Sequence, residues 1–301
     1  MTFRDITIDD KLLFDEYVKT SKNVGTESCF TDIFAWRKVY KIEIAFEENF
    51  VFIRGIRKKD NKDIRFYYRP FGKGKFKEAV EKIMACCESE GVEFLIYGVD
   101  ESCKGIFQKY FPHKLNYRLS RSTFDYIYLQ SNLASLKGKA LHSKKNHLNK
   151  FRKTYPDYKV EEITRENIDE CLKMNENWCL ENNIELPKPP CCSGEFCALL
   201  DTFKYYERLG CKGILIRVGG QVIAFTLGTE RNKDVFVTHF EKALYSYEGS
   251  FACINYEFAN YLNTYKYINR EDDMGRDGLR QAKMSYRPHI LYMKYHVSKR
   301  N

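Results

Sequence analysis

A cluster of acidic residues closes one of the predicted strands in the last part of the sequence. Three consecutive acids, Glu271, Asp272 and Asp273, are followed by Arg276. Grouped carboxylates can neutralise an ammonium group, while a guanidinium braces the carboxylates or contacts a phosphate through two hydrogen bonds. This pattern predicts a pocket for a substrate with a free amine, and it makes Asp273, Arg276 and Asp272 catalytic candidates.

The residues around this cluster supply further candidates. Arg280 and Lys283 lie on the helix that is predicted to follow it, and we assign them to substrate binding. Upstream, His239 and Glu241 are two residues apart in a predicted strand, so they lie on the same side if the strand continues. We add both to the catalytic candidates.

Each of these residues also has a structural interpretation. Asp272 or Asp273 can cap the predicted helix 278–284, and Arg276 can pair with them in a structural network. Capping accounts for one acid but not for three acids with an arginine. His239 lies in the middle of an apolar strand, where a histidine is more often a hydrogen-bonded core residue than a base.

A basic stretch, residues 136–155, is the second informative feature. It holds seven Lys or Arg and two His, and no acid occurs between Tyr126 and Pro156. At 100° per residue its apolar side chains form one stripe with most lysines opposite, which predicts an amphipathic helix with a cationic ridge. The substrate-binding candidates in this stretch are Lys139, Lys144, Lys145, Lys150 and Lys153.

Lys144 departs from this pattern because it shares the azimuth of Leu148 and Phe151. A lysine on the buried side of a helix either extends to the rim or points into a cleft. Runs of charge are usually solvated faces. Here, however, no acid supplies the i,i+4 partners of an ordinary surface helix, so the sequence favours an anionic partner.

Composition limits the class of protein. The 301 residues predict about two domains, which we place at 1–130 and 131–301, and the hydrophobic fraction of 44% is ample for packed cores. The net charge of +9 fits RNA, a nucleotide or an anionic membrane surface contacted peripherally. It does not choose among them.

The cysteines and the hydropathy pattern bear on the compartment. There are 11 cysteines without a CxxC spacing, so we expect reduced thiols and no metal site, with zinc at Cys191, Cys192 and Cys197 as the remote alternative. No run approaches the ~18 apolar residues of a membrane span, and the first residues lack a leader-like apolar region. The sequence therefore predicts a cytoplasmic protein without a transmembrane segment.

The predicted elements recur in the two halves of the chain. Each half reads as a strand, two helices, two or three antiparallel strands, and then alternating helices and strands. The segment FDYIYLQ is predicted to close the first half, and HILYMKYHV is predicted to be the last strand of the second half. The fold class predicted from this order is α+β, with mixed, mostly antiparallel sheets flanked by helices.

Three sequence motifs, in the order and spacing in which they occur here, resemble those of a known family. They are LKGKALHSKKNHLNKFRKTYP, EKALYSYEGSFACINYEFANYL and YINREDDMGRDGLRQAKMSYRP. Together they resemble the phosphatidylglycerol lysyltransferase C-terminal-domain family, a tandem acetyltransferase-like (GNAT-like) group similar to the Fem-type peptidoglycan aminoacyl ligases. The resemblance covers essentially the whole chain and implies two GNAT-like domains, the second of which begins with the basic helix.

The resemblance also implies where chemistry occurs. In GNAT-like folds the acyl donor lies where the fourth and fifth strands splay apart, which corresponds here to the ends of VFVTHFEK and YINREDDMGR. The glycine-rich pyrophosphate loop of acetyltransferases is missing, since Gly249 is the one glycine between His239 and Phe251. Without successive glycine amides at a helix N-terminus, a cradle for coenzyme A is poorly formed.

These observations predict an acyltransferase that moves an aminoacyl group from aminoacyl-tRNA to an amine or hydroxyl acceptor. The donor ester is already activated, so the protein has to position both substrates, stabilise the oxyanion and transfer a proton. The expected partner is tRNA or another phosphate-bearing donor. Two alternatives stay open: a non-catalytic RNA- or nucleotide-binding protein, and an acyl-CoA N-acyltransferase.

Overall fold

The computed structural model describes residues 1–19, 21–185 and 194–300, and its elements are numbered in chain order. The strands are β1 (Arg4–Asp5), β2 (Glu43–Glu47), β3 (Phe50–Lys59), β4 (Lys62–Tyr68), β5 (Phe71–Gly72), β6 (Leu95–Val99), β7 (Leu115–Leu119), β8 (Asp125–Leu129), β9 (Lys159–Glu162), β10 (Lys212–Val218), β11 (Gln221–Asn232), β12 (Val235–Ala243), β13 (Tyr267–Asn269), β14 (Ile290–Tyr292) and β15 (Tyr295–Lys299). The helices are α1 (Lys11–Val18), α2 (Phe30–Ala35), α3 (Arg37–Tyr40), α4 (Phe76–Glu90), α5 (Glu101–Tyr110), α6 (Gln130–Ser135), α7 (His142–Thr154), α8 (Ile168–Glu181), α9 (Glu195–Lys204), α10 (Tyr206–Leu209), α11 (Ser250–Tyr261) and α12 (Asp277–Ser285).

The first of two compact units is built from Met1–Asp125, Ser193–Ala198 and Tyr292–Asn301. Its sheet has the strand order β1-β2-β3-β4-β6-β15-β7, with β5 paired to β3. The ladder between β4 and β6 is parallel, whereas the other ladders along this order are antiparallel. Helices α4 and α5 cover one face, where Ile83 and Phe107 pack with Ile96 and Val297 in the core.

The second unit consists of Tyr126–Cys192 and Leu199–Leu291. Its sheet has the order β14-β8-β13-β12-β11-β10-β9. The ladders from β9 to β12 are antiparallel, β12 and β13 are parallel, and β13 and β8 are again antiparallel. Helix α11 packs on β10, β11 and β12 and on the helices α6 and α7.

The two sheets therefore repeat one topology. In each sheet a run of antiparallel strands is followed by one parallel pair and then by an antiparallel strand. This arrangement confirms the predicted α+β class and the repeated order of elements.

The strand that follows the parallel pair comes from the other half of the sequence in each sheet. Strand β8, from the segment FDYIYLQ, lies in the second sheet, although it was predicted to close the first half. The segment HILYMKYHV was predicted as one strand of the second half, but it breaks into β14 in the second sheet and β15 in the first. Local pattern marks a strand, whereas its partners are set by contacts distant in sequence. The limits at 130 and 131 stay a prediction.

Local sequence explains several of these elements. The hairpin of β10 and β11 turns at Gly219 and Gly220, whose φ values of 56° and 84° are those that a two-residue turn requires. Helix α5 begins after Asp100, whose carboxylate accepts a hydrogen bond from the backbone nitrogen of Cys103 at 2.9 Å. Strand β7 was not predicted from the sequence. Its alternation of polar and apolar residues extends over only five positions, which is a weak signal.

Candidate active site

The parallel strands β12 and β13 pair over a short distance. Val235–Val237 lie opposite Tyr267–Asn269, and the two strands share no further register. Beyond this ladder charged side chains bridge the two chain segments. The second unit thus has a pair of parallel strands that part after a short ladder, at the place where the family resemblance implies an acyl donor.

Strand β12 carries a bulge at this position. Its pairing with β11 moves from Phe240 opposite Leu227 to Thr238 opposite Gly228, which leaves His239 as the extra residue. A β-carbon at Gly228 would lie 1.9 Å from the carbonyl oxygen of Val237, so glycine is required opposite the bulge.

His239 has partners on both ring nitrogens. Its Nε2 lies 2.8 Å from the hydroxyl of Thr229, and its Nδ1 lies 2.7 Å from Glu271 Oε1. The side chain is 3% exposed. This geometry fits the hydrogen-bonded core histidine that the sequence offered as an alternative, and the catalytic assignment of His239 stays a prediction.

An ion pair between Arg270 and Glu241 spans the gap between the strands. Arg270 Nη2 donates to Glu241 Oε1 at 2.6 Å, and Asn255 Nδ2 on α11 donates to Glu241 Oε2 at 3.2 Å. Both side chains of the ion pair are nearly buried, at 11% and 13% exposure. Burial alone would lower the pKa of Arg270, but the charge and hydrogen bond of Glu241, together with Tyr128 and Tyr286, outweigh this effect and raise it. The guanidinium is therefore charged.

One nitrogen of this guanidinium is left over. Arg270 Nη1 is buried and has no hydrogen-bond partner among the described residues. The guanidinium carbon lies 5.0 Å from the ring centroid of Tyr286, and the ammonium of Lys144 lies 4.5 Å from the same centroid. A buried hydrogen-bond donor without a partner lowers the stability of a folded protein. Its presence therefore calls for an explanation, such as a role in ligand binding or catalysis.

Lys144 and Tyr286 titrate away from their ordinary ranges. Burial, followed by the charge of Arg270, lowers the pKa of Lys144. Burial raises the pKa of Tyr286, with Arg270 opposing the change, so its hydroxyl is protonated at neutral pH. The helical-wheel argument that placed Lys144 on the buried side of the basic helix agrees with its half-buried position.

The acidic cluster after β13 is largely satisfied by its own surroundings. Asp273 is fully buried and accepts hydrogen bonds from Arg280, at 2.9 and 3.1 Å, from the Tyr126 hydroxyl at 2.6 Å and from the Gly275 nitrogen at 2.9 Å. Burial raises the pKa of Asp273, but these hydrogen bonds outweigh it and lower the pKa to about 2. The guanidinium that braces the cluster is thus that of Arg280.

Other predicted residues around the cluster have structural contacts. Lys283 is buried and donates to the backbone carbonyls of Arg270 and Asp272, and burial lowers its pKa. The Asp272 side chain accepts from the Met274 nitrogen at 3.0 Å, within its own turn. Arg276 is exposed at the N-cap of α12, away from the role of brace that the sequence suggested for it. Substrate contacts for these residues stay predictions.

The turn that holds the cluster is strained. Glu271 and Met274 have positive φ values of 55° and 48°, which residues other than glycine seldom adopt. The turn is tied to β8, because the Tyr126 nitrogen donates to the Glu271 carbonyl at 3.1 Å and the Arg270 nitrogen donates to the Tyr126 carbonyl at 2.9 Å. Such strain persists where surrounding contacts fix it, often at functional sites.

The basic segment forms α7, as predicted, after a short 3₁₀ turn at Lys139–Leu141. Leu148 and Phe151 are buried, and the side chains of the predicted ridge are exposed. The exposed candidates are Lys139, Lys145, Lys150 and Lys153. Lys150 pairs with Glu248 at 2.6 Å, so the acid-free stretch acquires an acidic neighbour from a distant segment.

Comparison with known proteins identifies the family. The model of the family described as "Phosphatidylglycerol lysyltransferase, C-terminal" matches residues 18–298. The chain belongs to this family. The predicted resemblance to it is confirmed.

Individual relatives agree with this assignment. A conserved protein of unknown function from Bacteroides thetaiotaomicron is 34% identical, with complete coverage of both chains and a TM-score of 0.91. The C-terminal domain of a putative lysylphosphatidylglycerol synthetase from Agrobacterium fabrum shares the fold at 13% identity, with a TM-score of 0.68 and coverage of 98% of this chain and 93% of that one.

A curated relative is matched over part of its length. It is an uncharacterized protein of Mycoplasmoides gallisepticum, 26% identical over 190 residues, which are 60% of this chain and 57% of the relative. The match thus spans little more than half of that protein. In the described parts of this family member, no helix has both the length and the apolar character needed to cross a membrane.

Gly249, the glycine left between β12 and α11, serves packing in this family member. It is the N-cap of α11, with a φ of 86°. A β-carbon there would lie 2.5 Å from the carbonyl oxygen of His147 and 2.9 Å from Phe151 Cβ. The start of α11 is therefore in close contact with the basic helix α7.

Sequence reasoning missed the residues that bind the splayed strands together. Arg270 follows directly after a buried strand and lies in the same motif as the acidic cluster. This position was the feature of the sequence that could have identified it. Tyr126, Tyr128 and Asn255 gave none, because tyrosines are abundant in this chain and an asparagine on an apolar helix has many roles. Cys191 and Cys192, part of the remote zinc alternative, lie outside the described residues.

Proposed function

We propose that this protein is an acyltransferase that moves an aminoacyl group from aminoacyl-tRNA to an amine or hydroxyl acceptor, with the reaction at the splayed end of β12 and β13. The observation that carries the proposal is the buried Arg270 guanidinium with its unpartnered Nη1. Glu241 holds it in place, and Tyr286 lies beside it.

The chemistry needs few groups. The acceptor attacks the ester carbonyl of the donor, a new C–N or C–O bond forms, and the ester C–O bond to the ribose breaks. Arg270 Nη1 donates to the carbonyl oxygen as negative charge develops on it. The Tyr286 hydroxyl forms no hydrogen bond within the described residues and stays protonated. It can give its proton to the departing ribose oxygen and regain one from the acceptor.

Two observations support tRNA as the donor rather than coenzyme A. The exposed lysines of α7 offer a surface for phosphates, to which cations bind with release of counterions. The start of α11, where an acetyltransferase would cradle pyrophosphate, is instead packed against the backbone of α7 at Gly249. This packing disfavours the acyl-CoA alternative.

Other parts of the prediction remain at the level of proposals. The similar structure from Agrobacterium fabrum is named as a domain of a putative lysylphosphatidylglycerol synthetase, so a lipid hydroxyl joins soluble amines as an acceptor class for this chain. Peripheral contact with a membrane would then occur during transfer. The cytoplasmic location stays a prediction from cysteine content and hydropathy.

The experiment measures transfer of labelled amino acid from charged tRNA to the lipid and the aqueous fractions of a cell extract. Tyr286→Phe keeps the ring and removes the hydroxyl, and we expect transfer to fall by about 100-fold or more. Arg270→Lys keeps the charge opposite Glu241 but loses the fork of donors, and we expect a fall of about 100-fold as well. Thermal unfolding of both variants shows whether the fold is kept.

Arg165→Gln is the matched control, because it removes an exposed guanidinium of the same unit that pairs with Glu207. It should transfer at the wild-type rate. Transfer by Tyr286→Phe and Arg270→Lys at the rate of this control would remove the site from the proposal. Binding of tRNA without any transfer by the wild-type protein would favour the non-catalytic alternative.

A further inference from the structure

Four side chains of the first unit form a connected cluster on neighbouring strands. Tyr97 on β6 stacks on His296 of β15, with ring centroids 4.0 Å apart. The guanidinium carbon of Arg57 on β3 lies 4.7 Å from the Tyr97 centroid. Arg118 on β7 is the cross-strand partner of His296, and its Nη2 lies 3.2 Å from His296 Nδ1.

The two guanidiniums of this cluster have no acid partner in the described parts of the chain. Other arginines of this sheet do: Arg54 on β3 pairs with Glu43 at 2.6 Å, and Arg65 on β4 pairs with Glu43 at 3.2 Å. Arg57 is half-buried and Arg118 is exposed, and neither charge is offset by an ion pair with a described acid.

Two hydrogen-bond donors in the cluster are also unused. Arg57 Nε and the Tyr97 hydroxyl are buried and have no hydrogen-bond partner among the described residues. Tyr97 is 9% exposed as a whole. Buried donors of this kind are usually satisfied in folded proteins, so a pair of them in one cluster needs a reason.

The charges of both guanidiniums affect the pKa values of the same two residues, His296 and Tyr97. Burial, together with the positive charges of Arg118 and Arg57, lowers the pKa of His296 to about 4. The same two arginines oppose the effect of burial on the pKa of Tyr97, and the charge of Glu93 adds to that effect. The imidazole is neutral at pH 7, so the cluster has two positive charges against one nearby acid.

We propose that Arg57, Tyr97, His296 and Arg118 form a binding site for the phosphate group of a small molecule. Two guanidiniums and a phenolic hydroxyl together can donate hydrogen bonds to the three free oxygens of a phosphate group. A carboxylate has only two oxygens and would leave part of these donors unused. This site belongs to the first unit and is separate from the transfer chemistry proposed at Arg270. Its ligand is either a nucleotide or a glycerophosphate of the kind found in lipid headgroups, and the two share the phosphate.

The test titrates the full chain with inorganic phosphate by calorimetry and follows His296 by NMR. We expect binding in the wild type, together with a rise in the pKa of His296, because the anion offsets the field of the two arginines. Arg118→Gln and Arg57→Gln should each weaken binding about tenfold, as expected for the loss of one charged hydrogen-bond partner. Tyr97→Phe keeps the ring stack and should weaken it by about threefold.

Lys58→Gln is the matched control, because it removes one positive charge from the neighbouring position of β3, which points to the opposite face. It should bind phosphate as the wild type does. Glycerol 3-phosphate and adenosine monophosphate then distinguish the two sources, with glycerol and adenosine as phosphate-free controls. The proposal is overturned if the wild type binds no phosphate, if Arg57→Gln and Arg118→Gln bind like Lys58→Gln, or if the phosphate-free controls bind equally well.

Discussion

The two units share a topology but differ at the point where their parallel strands part. In the first unit the ladder of β4 and β6 ends at Tyr68 opposite Tyr97, and Gly98 follows. A β-carbon at Gly98 would lie 2.4 Å from Glu27 Cγ, so the side chain of Glu27 lies directly on the strand. In the second unit the ladder ends at Asn269, and the buried Arg270 follows with an unused donor.

The two units also differ in how the charged side chains near these strands are paired. Glu27 meets Lys294 at 2.8 Å, and Lys294 also pairs with Asp125 at 2.7 Å, so these charges hold the first unit together. Arg270 has a partner for Nη2, and within the part of the chain that the structure describes it has none for Nη1. At the residue that follows the parallel ladder, the first unit has Gly98 covered by the Glu27 side chain, whereas the second unit has Arg270 with a donor that is unused among the described residues. This is why we place the proposed transfer in the second unit.

The largest expected effect tests the exchanged strands. Deletion of residues 295–301 removes β15, which lies between β6 and β7 and contributes the buried Val297 to the core. Strand β7 then loses its ladder and β6 keeps only its parallel ladder with β4, so we expect the first unit to unfold, because a domain is stable by only about 5–15 kcal/mol. Hydrogen exchange of the β6 and β7 amides measures this loss. Unchanged protection of those amides in the deleted protein would contradict the exchange of strands.

The next prediction compares the buried lysines of the two units. Lys294→Met leaves Glu27 and Asp125 without their cation and should cost about 3–5 kcal/mol of unfolding free energy. Lys283→Met removes a donor from two backbone carbonyls and should cost about 1–3 kcal/mol. Denaturant unfolding measures both.

A second substitution sharpens this comparison of the lysines. Adding Glu27→Gln to Lys294→Met removes one uncompensated carboxylate, so part of the lost stability should return. Equal costs for the two lysines, without any recovery in the double variant, would show that the first unit does not depend on its buried charges.

The smallest effect concerns acid pH and Asp273. Its folded-state pKa of about 2 lies below its usual value of 3.8, so the ionised form stabilises the fold. This contribution, about 2 kcal/mol, is complete well above pH 4 and is lost as the pH falls through 2. Asp273→Asn should therefore flatten the fall in unfolding free energy between pH 4 and 2.

Asp277→Asn, at an exposed position of the same region, should retain the wild-type pH profile. The pair of variants also separates two roles for Asp273. If Asp273→Asn loses transfer while its stability at all pH values matches the wild type, the carboxylate contacts substrate, as the sequence suggested, rather than holding the turn.

Much of the fold was available from sequence. Residue patterns predicted the basic amphipathic helix with Lys144 on its buried side and the helix that follows the acidic cluster. These features depend on contacts within a few residues, so periodicity and turn chemistry suffice to predict them.

The location and the residues of the site stay predictions, but the structure shows which of the candidate residues contact one another. The acidic cluster does lie at the splayed strands, but Arg280 braces Asp273, whereas Arg276 is exposed. Which of two arginines on one helix turn reaches a carboxylate depends on the path of a strained turn, which sequence spacing does not encode.

The sequence by itself determined the α+β class, the repeated order of elements and the excess of positive charge on α7. Only the tertiary structure decided that β15 completes the first sheet and β8 completes the second. Strand pairing between residues so far apart in sequence depends on the assembly of the whole core. The tertiary structure also decided that Arg270 has a donor unused among the described residues, whereas both carboxylate oxygens of Asp273 accept hydrogen bonds. Hydrogen-bond satisfaction is a property of a packed neighbourhood, and residues distant in sequence, such as Tyr126 and Asn255, supply that neighbourhood.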